Sequence, residues 1–180
     1  MIHRNHSRIA NHYASRIVKL AYNIGCTGVQ VSTFLEKANV EDRPSGASPS
    51  RANPERSLEL ALAAARTAAD NAATNILVLD MSRQSANFDY FIIATGTSRR
   101  QLHAISEEID HKLEDELNDK RMNIDGYDES RWIVLDYGTV IVHLFDEDTR
   151  KFYSLESLWA DALPVDLTSI GIEATVEPTE

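Results

Sequence analysis

The chain has 180 residues and a formal net charge of −10, and 43% of its residues are hydrophobic while 26% are charged. These values predict one soluble domain with a substantial hydrophobic core. A protein this acidic is a poor general binder of nucleic acid and of anionic membranes. No apolar run approaches the roughly 20 residues that cross a bilayer. The single cysteine, Cys26, excludes an internal disulfide.

The charge and the prolines divide the chain into parts. The first 54 residues carry a net charge of +4, whereas residues 55–164 carry a net charge of −10. Three of the five prolines lie between Pro44 and Pro54, which is typical of a linker. In chain order we predict a flexible basic leader, a linker, a folded domain and an acidic tail that frays, over residues 1–43, 44–54, 55–164 and 165–180.

The predicted domain begins with a helix. Asn53, Pro54 and Glu55 supply a capping residue, a proline at the first helical position and an acid in the first turn. Apolar side chains then recur every three or four residues, as they do along one face of a helix. The predicted buried face comprises Leu58, Leu62, Ala65, Ala69 and Ala72.

Two strands and a second helix follow. The apolar runs over residues 76–80 and 88–95 are typical of buried strands. Thr97 or Ser98 then caps the second helix, because a side-chain oxygen at this place accepts a free backbone N–H. Its predicted apolar face comprises Leu102, Ile105, Ile109 and Leu113.

The last part of the domain predicts a β-hairpin and a short closing helix. Residues 131–136 and 139–145 are rich in β-branched and aromatic side chains and meet at Tyr137-Gly138. The closing helix is predicted from Phe152, Leu155, Leu158 and Trp159. The order α-β-β-α-β-β-α indicates an α/β (α+β) fold, in which helices flank a mixed β-sheet.

The turn Gly96-Thr97-Ser98 is the first candidate for a catalytic site. Free N–H groups at a strand-to-helix turn can hold a phosphate, and nucleotidyltransferases add two carboxylates that hold Mg²⁺. Glu108 and Asp110 have the required spacing, but a two-residue step along a helix turns by about 200° and separates them. We therefore interpret the turn as a helix cap, and we predict no metal and no cofactor.

No other group of side chains predicts catalysis. Cys26 lies in the leader, away from any recognisable histidine partner. His103 and His111 can share one helix face, but two histidines lack a third metal ligand. His143 lies on a strand among apolar neighbours, which is typical of a packed or interface residue. The sequence thus predicts no catalytic residue and favours a protein that is not an enzyme.

Aromatic side chains are concentrated near the end of the domain, where carboxylates accompany them. The group comprises Trp132, Tyr137, Phe145, Phe152, Tyr153 and Trp159. Phe145 and Phe152 are predicted to fill the core, and Trp159 is open to either role. Trp132 and Tyr137 lie at the entry and the tip of the hairpin, where full burial is difficult. We interpret these two as anchors for a basic protein partner.

Four stretches, in this order, resemble the ribosomal silencing factor family, also called RsfS-like or Iojap-like. They are Asp89-Tyr-Phe-Ile-Ile-Ala-Thr-Gly-Thr-Ser98, Arg131-Trp-Ile-Val-Leu-Asp-Tyr-Gly138, Val140-Ile-Val-His-Leu-Phe145 and Phe152-Tyr-Ser-Leu-Glu-Ser-Leu-Trp159. The resemblance implies a nucleotidyltransferase-like fold with no known catalytic activity. It also implies binding to the large ribosomal subunit through ribosomal protein fourteen, which blocks association with the small subunit and represses translation.

The resemblance also implies a set of contact residues and shows some departures from the family pattern. Ser130 stands where a glycine often precedes Arg-Trp, Thr139 where an aspartate commonly follows Tyr-Gly, and Ala160 where a glycine often follows Trp. Met81-Ser82 replaces a more common apolar-Arg pair. The implied partner contacts are Trp132, Asp136, Tyr137, His143, Tyr153 and Trp159.

Two other functions and several properties stay open. The alternatives are a nucleotidyltransferase-type enzyme that uses the turn at Gly96–Ser98, and a ribosome assembly factor. The start of the chain is free of acids and contains Arg4, Arg8 and Arg16, which resembles an organellar transit peptide; we favour a cytoplasmic location with a disordered leader. We predict no sequence-specific nucleic-acid binding and no membrane, and leave open whether the protein forms a homodimer.

Overall fold

The computed structural model describes residues 53–85 and 87–173. The predicted leader, most of the predicted linker and Cys26 lie outside the described residues. The chain divides into two compact units, and one of them contributes only residues 155–160 to the described part. The other unit contains all the remaining described residues. No helix in the described part is long and apolar enough to cross a membrane.

Helices and strands alternate along the described part of the chain. In order they are α1 (Pro54–Asp70), β1 (Thr74–Asp80), β2 (Tyr90–Thr95), α2 (Arg99–Asp110), a π-helical turn (His111–Glu116), β3 (Asn123–Asp125), β4 (Trp132–Asp136), β5 (Val140–Phe145), α3 (Glu147–Tyr153), α4 (Leu155–Leu158), β6 (Leu163–Pro164) and a 3-10 turn (Thr168–Ile170). The predicted mixed α/β architecture is confirmed. The structure adds β3 and β6 and divides the closing helix into α3 and α4.

The six strands form one mixed sheet in the order β3-β4-β5-β2-β1-β6. Strands β2 and β5 are parallel, and the other neighbouring pairs are antiparallel. The predicted hairpin joins β4 to β5, and Gly138 lies in its turn with φ +88°, a conformation that costs glycine little. The sequence did not reveal β3 and β6, because two or three residues show no periodicity.

Helix α1 packs with a different face from the one predicted. Its buried residues are Ser57, Leu60, Ala61, Ala64, Ala65 and Ala68, so only Ala65 belongs to both sets. Alanines occur around most of this helix, and the apolar pattern therefore does not identify one stripe. Tertiary contacts select it: the Ser57 hydroxyl lies 2.8 Å from an Asp89 carboxylate oxygen and 2.9 Å from the Thr139 hydroxyl.

Helix α2 and the π-helical turn that follows it pack as predicted. The side chains of Leu102, Ile105, Ile109 and Leu113 are completely buried, and Ser98 caps the helix by accepting the N–H of Gln101 at 3.2 Å. Helices α1 and α2 belong to one core with the inward side chains of the sheet. From the strands this core includes Val78, Ile92, Ala94, Ile133, Leu135, Val142 and Leu144.

The chain remains packed from residue 165 to residue 172, although the sequence predicted a tail that frays over residues 165–180. Residues 174–180 of that predicted tail lie outside the described residues. The N–H of Val165 donates to the Val78 carbonyl at 2.9 Å, and Leu167 is buried in the core of α1 and α2. The Arg66 guanidinium donates to the Ile170 carbonyl at 2.7 Å. A few scattered apolar residues are thus sufficient to hold this segment, although they have no regular spacing.

Candidate protein-binding surface

The turn after β2 is occupied by its own hydrogen bonds. The backbone N–H and the hydroxyl of Thr97 both donate to the Gln101 side-chain oxygen, at 2.7 and 2.8 Å. A Cβ on Gly96 would lie 2.7 Å from the Cδ2 methyl of the buried Leu102, so a larger residue here would require the Leu102 side chain to shift. These contacts describe a helix cap and its packing.

The carboxylates of the possible metal pair point to different surroundings. Asp110 accepts a hydrogen bond from the Tyr137 hydroxyl and forms an ion pair with Arg121, whereas Glu108 is exposed. Among the described residues, no group of three His, Cys, Asp or Glu side chains is arranged to hold a metal ion.

The two histidines of α2 and the π-helical turn are also separate. His103 stacks on Tyr127 with ring centroids 4.1 Å apart. The His111 ring instead pairs with Asp115 at 2.7 Å, and this bond raises the pKa of His111. The two rings therefore do not form a joint site.

Strands β4 and β5 and helix α3 bring several aromatic rings together on the sheet face opposite α1 and α2. Trp132 stacks on Phe145 with centroids 4.8 Å apart, and it lies 4.8 Å from the ring of Tyr153. Tyr153 in turn makes an edge-to-face contact with Phe152 at 5.1 Å. We call Trp132, Phe152 and Tyr153 the aromatic surface.

Phe152 was predicted to fill the core, and this prediction is wrong. Its side chain is 78% exposed, and that of Tyr153 is 39% exposed. Helix α3 has no buried residue, and Phe152 lies one helical turn after the exposed Asp148. This i, i+4 spacing from a carboxylate was the signal in the sequence that Phe152 faces solvent.

Tyr137 was predicted to be exposed at the hairpin tip, and this prediction is also wrong. Its side chain is 2% exposed and belongs to the core of α1 and α2. Its hydroxyl donates to Asp110 on α2. Burial raises the pKa of Tyr137. The turn folds this ring back beneath the hairpin, so Tyr137 ties β4 and β5 to α2.

His143 lies beneath the aromatic surface. It is completely buried, and its Nδ1 accepts a hydrogen bond from the indole N–H of Trp132 at 3.3 Å. The Phe91 ring contacts it edge-on, with centroids 5.1 Å apart. Burial lowers the pKa of His143 to about 3, and the ring is therefore neutral near neutral pH.

Asp136 and Trp159 complete the predicted set of contacts. Asp136 is half-buried and accepts the N–H of Gly138 at 2.8 Å, which stabilises the hairpin turn. Trp159 is 3% exposed and lies in the unit that contains residues 155–160. Of the six predicted residues, Trp132 and Tyr153 are thus the two whose rings contribute to the aromatic surface.

Carboxylates border this surface at the start of α3. Asp146 caps the helix by accepting the N–H of Thr149 at 2.7 Å and pairs with Arg131 at 2.9 Å. Partial burial raises the pKa of Asp146, but the hydrogen bonds from Thr149 and Arg131 outweigh this effect and lower it. Glu147 pairs with Lys151, while Asp148 is exposed.

Residues 54–180 match the family described as "Ribosomal silencing factor during starvation". The chain belongs to the ribosomal silencing factor family. A relative in Bacillus subtilis (strain 168), named "Ribosomal silencing factor RsfS", is 45% identical over 105 residues, which are 58% of this chain and 87% of that protein. A mouse relative named "Mitochondrial assembly of ribosomal large subunit protein 1" is 36% identical over 90 residues, or 48% of this chain and 39% of that protein.

A solved structure from Chromobacterium violaceum supports the same assignment of the fold. It is 28% identical in sequence with a TM-score of 0.56, and the match covers 66% of this chain and 95% of that one. The resemblance of the four sequence stretches to the ribosomal silencing factors is therefore confirmed. The relatives named above are described as silencing or assembly factors, and neither name is that of an enzyme.

Two departures from the pattern of the silencing factors now have a structural setting. Ser130 has φ +53°, a left-handed conformation in which glycine is unstrained, and its hydroxyl lies 2.6 Å from the Nε2 of His103. Thr139, in place of an aspartate, is buried and contacts Ser57 of α1. Both side chains therefore make local contacts within the domain.

Proposed function

We propose that this protein binds the large ribosomal subunit through ribosomal protein fourteen and prevents the small subunit from joining, which represses translation. The observation that carries the proposal is the exposure of Phe152 and Tyr153 beside Trp132. Large aromatic side chains that lie together at the surface are typical centres of protein interfaces. Membership of the silencing factor family supports a ribosomal protein as this partner.

Charge supports a basic partner. Residues 55–164 carry a net charge of −10, and the exposed Asp148 lies one helical turn from Phe152. Carboxylates around an aromatic centre steer a basic surface toward it and disfavour acidic surfaces. The same charge opposes direct contact with ribosomal RNA, so we propose recognition of a protein and not of a nucleotide sequence.

The proposed mechanism is steric. A standard interface takes about 800 Å² from each partner, and a domain of this size supplies that area while most of its surface remains free. If the domain occupies the face of the large subunit that meets the small one, it excludes the small subunit without any chemical step. We accordingly propose that the protein catalyses no reaction.

Calorimetry with ATP and Mg²⁺ tests this directly, because binding heat would favour the nucleotidyltransferase alternative.

Co-sedimentation with purified large subunits tests the proposed surface. We expect Trp132→Ala and Phe152→Ala each to weaken binding by about 1–2 kcal/mol, because each removes an aromatic contact. Met122→Ala is the matched control, since Met122 is 68% exposed but lies outside the aromatic surface. The proposal fails if all three variants sediment with the large subunit like the wild type.

Assembly of the large subunit is the second candidate function. The name of the mouse relative favours it, and the same surface serves either role. An assembly factor binds free ribosomal protein fourteen more tightly than the finished subunit, whereas a silencing factor binds the finished subunit and reduces joining. Measuring both affinities, together with subunit joining in a sucrose gradient, distinguishes the two.

We further infer a cytoplasmic location, where a silencing factor meets complete ribosomes. The mitochondrial name of the mouse relative keeps import into an organelle as the alternative. A fluorescent tag at the C-terminus of the full chain, observed in its own cells, distinguishes a diffuse from an organellar distribution.

Sedimentation equilibrium of the free protein decides between a monomer and a homodimer.

A further inference from the structure

The indole of Trp132 is held by a side chain that a partner does not reach. Trp132 and His143 lie on neighbouring antiparallel strands, in which His143 pairs with Val134. Because side chains alternate between faces, Trp132 and His143 are diagonal neighbours on one face of the sheet. The indole N–H donates to the Nδ1 of His143 at 3.3 Å, while His143 itself is completely buried.

This hydrogen bond assigns the protons of His143. The ring is neutral, and its Nδ1 accepts the indole N–H, so the proton of the imidazole is on Nε2. In the described part of the chain, Nε2 is buried and has no hydrogen-bond partner. A buried donor without an acceptor destabilises the folded state, and an apolar side chain would avoid this cost.

The other contacts of Trp132 define the orientation of its indole less well than the hydrogen bond to His143 does. Phe145 stacks on the indole and the Tyr153 ring is tilted against it, and neither contact offers the indole N–H a hydrogen-bond acceptor. The bond to His143 is the one directional contact that the structure describes for this side chain. It selects one orientation of an aromatic ring at the surface.

We propose that His143 is a positioning residue for partner binding, which holds the Trp132 indole in the orientation that a partner meets. This inference rests on the proposed function of the aromatic surface. An indole that is already fixed loses less conformational freedom on binding, so its contacts contribute more to affinity. The partner contacts Trp132 and not His143.

Two nearly isosteric variants test the inference. The side-chain oxygen of His143→Asn is placed to replace Nδ1 as an acceptor, whereas His143→Leu has a similar shape but no acceptor. The chain has two tryptophans, so the indole N–H resonance of Trp132 in a ¹H–¹⁵N spectrum is assigned with Trp132→Phe. We expect His143→Leu to shift this resonance and to weaken binding to large subunits about tenfold. We expect His143→Asn to stay within about threefold of the wild type.

A double-mutant cycle adds a test that a general packing role does not satisfy. Trp132→Phe removes the indole N–H but keeps an aromatic ring. If His143 acts through Trp132, the two losses of affinity are not additive. The double variant Trp132→Phe/His143→Leu should then bind about as tightly as whichever single variant has the lower affinity. Additive losses, or equal losses in His143→Asn and His143→Leu, would overturn the inference. His111→Leu, an exposed site, is the matched control.

The inference and the proposed function fail in different ways. Normal binding by both Trp132→Ala and Phe152→Ala contradicts the proposed surface itself, whereas normal binding by Trp132→Ala alone overturns the inference about His143. If Trp132→Ala weakens binding but His143→Leu does not, the surface stands and the positioning role of His143 is wrong. If His143→Leu does not fold, the comparison of His143→Asn with Trp132→Phe decides, because only the second is then expected to bind more weakly than the wild type.

Discussion

The two faces of the β-sheet carry different kinds of side chain. The face beneath α1 and α2 is lined by aliphatic residues such as Ile92, Val142 and Leu144, all completely buried. The opposite face carries Phe91, His143 and other rings, and it continues into the partly exposed aromatic surface. Adjacent residues on the same strands thus serve a closed core on one side and a candidate interface on the other. Substitutions on the two faces should therefore affect different measurements.

The largest loss of stability is expected in the core between the sheet and helices α1 and α2. Ile105 of α2 is completely buried, and Ile105→Ala should lower the free energy of unfolding by about 2–5 kcal/mol, because it leaves a cavity in a packed core. Urea denaturation measures this change. Leu163→Ala is the control, since Leu163 is 53% exposed and its truncation should cost well under 1 kcal/mol. Equal losses in the two variants would contradict the distinction between core and surface.

The next effect concerns the link between the hairpin and α2. Tyr137→Phe removes the hydroxyl that donates to the Asp110 carboxylate and should cost about 1.5–3 kcal/mol of unfolding free energy, as for a hydrogen bond to a charged group. Tyr127→Phe is the matched control, because the Tyr127 hydroxyl donates to Glu107 at an exposed site. If Tyr137→Phe binds ribosomes less tightly at unchanged stability, Tyr137 contacts the partner after all.

A pH titration examines the opposite face. Burial lowers the pKa of folded His143 to about 3 from its usual 6.5, so the unfolded chain takes up this proton first as the pH falls. The contribution of this group to stability should therefore be constant above about pH 6.5, and stability should fall as the pH is lowered from about 6.5 toward 3, with a slope on the order of 1 kcal/mol per pH unit. Chemical denaturation of the wild type and of His143→Asn over this range isolates the effect. Parallel curves for the two proteins would contradict it.

The smallest effect is expected at the border of the aromatic surface. Asp148→Lys reverses an exposed charge and should weaken binding to the large subunit by about 1 kcal/mol or less, chiefly through slower association. The loss should shrink as salt is added. Glu108→Lys makes the same change on the solvent side of α2 and should have less effect. Equal losses of affinity in Asp148→Lys and Glu108→Lys would mean that the net charge of the protein, and not the position of the carboxylate, determines binding.

The elements with regular apolar spacing were predictable from the sequence. The buried face of α2 and the β4–β5 hairpin follow from local periodicity and from one glycine turn. The buried face of α1 was not predictable, because its alanines lie on several sides and contacts such as Ser57 with Thr139 select the stripe. The packing of Val165 and Leu167 was missed for a related reason, since single apolar residues acquire partners only in the folded chain.

For the candidate site, the sequence by itself determined the family, the acidic character and the cluster of aromatic residues near the end of the domain. Only the tertiary structure decided which of these rings face solvent. Phe152 was predicted to be buried and is exposed, whereas Tyr137 was predicted to be exposed and is buried. His143 is buried as well. The physical reason is that exposure depends on which elements pack on a side chain, and these elements come from distant parts of the chain.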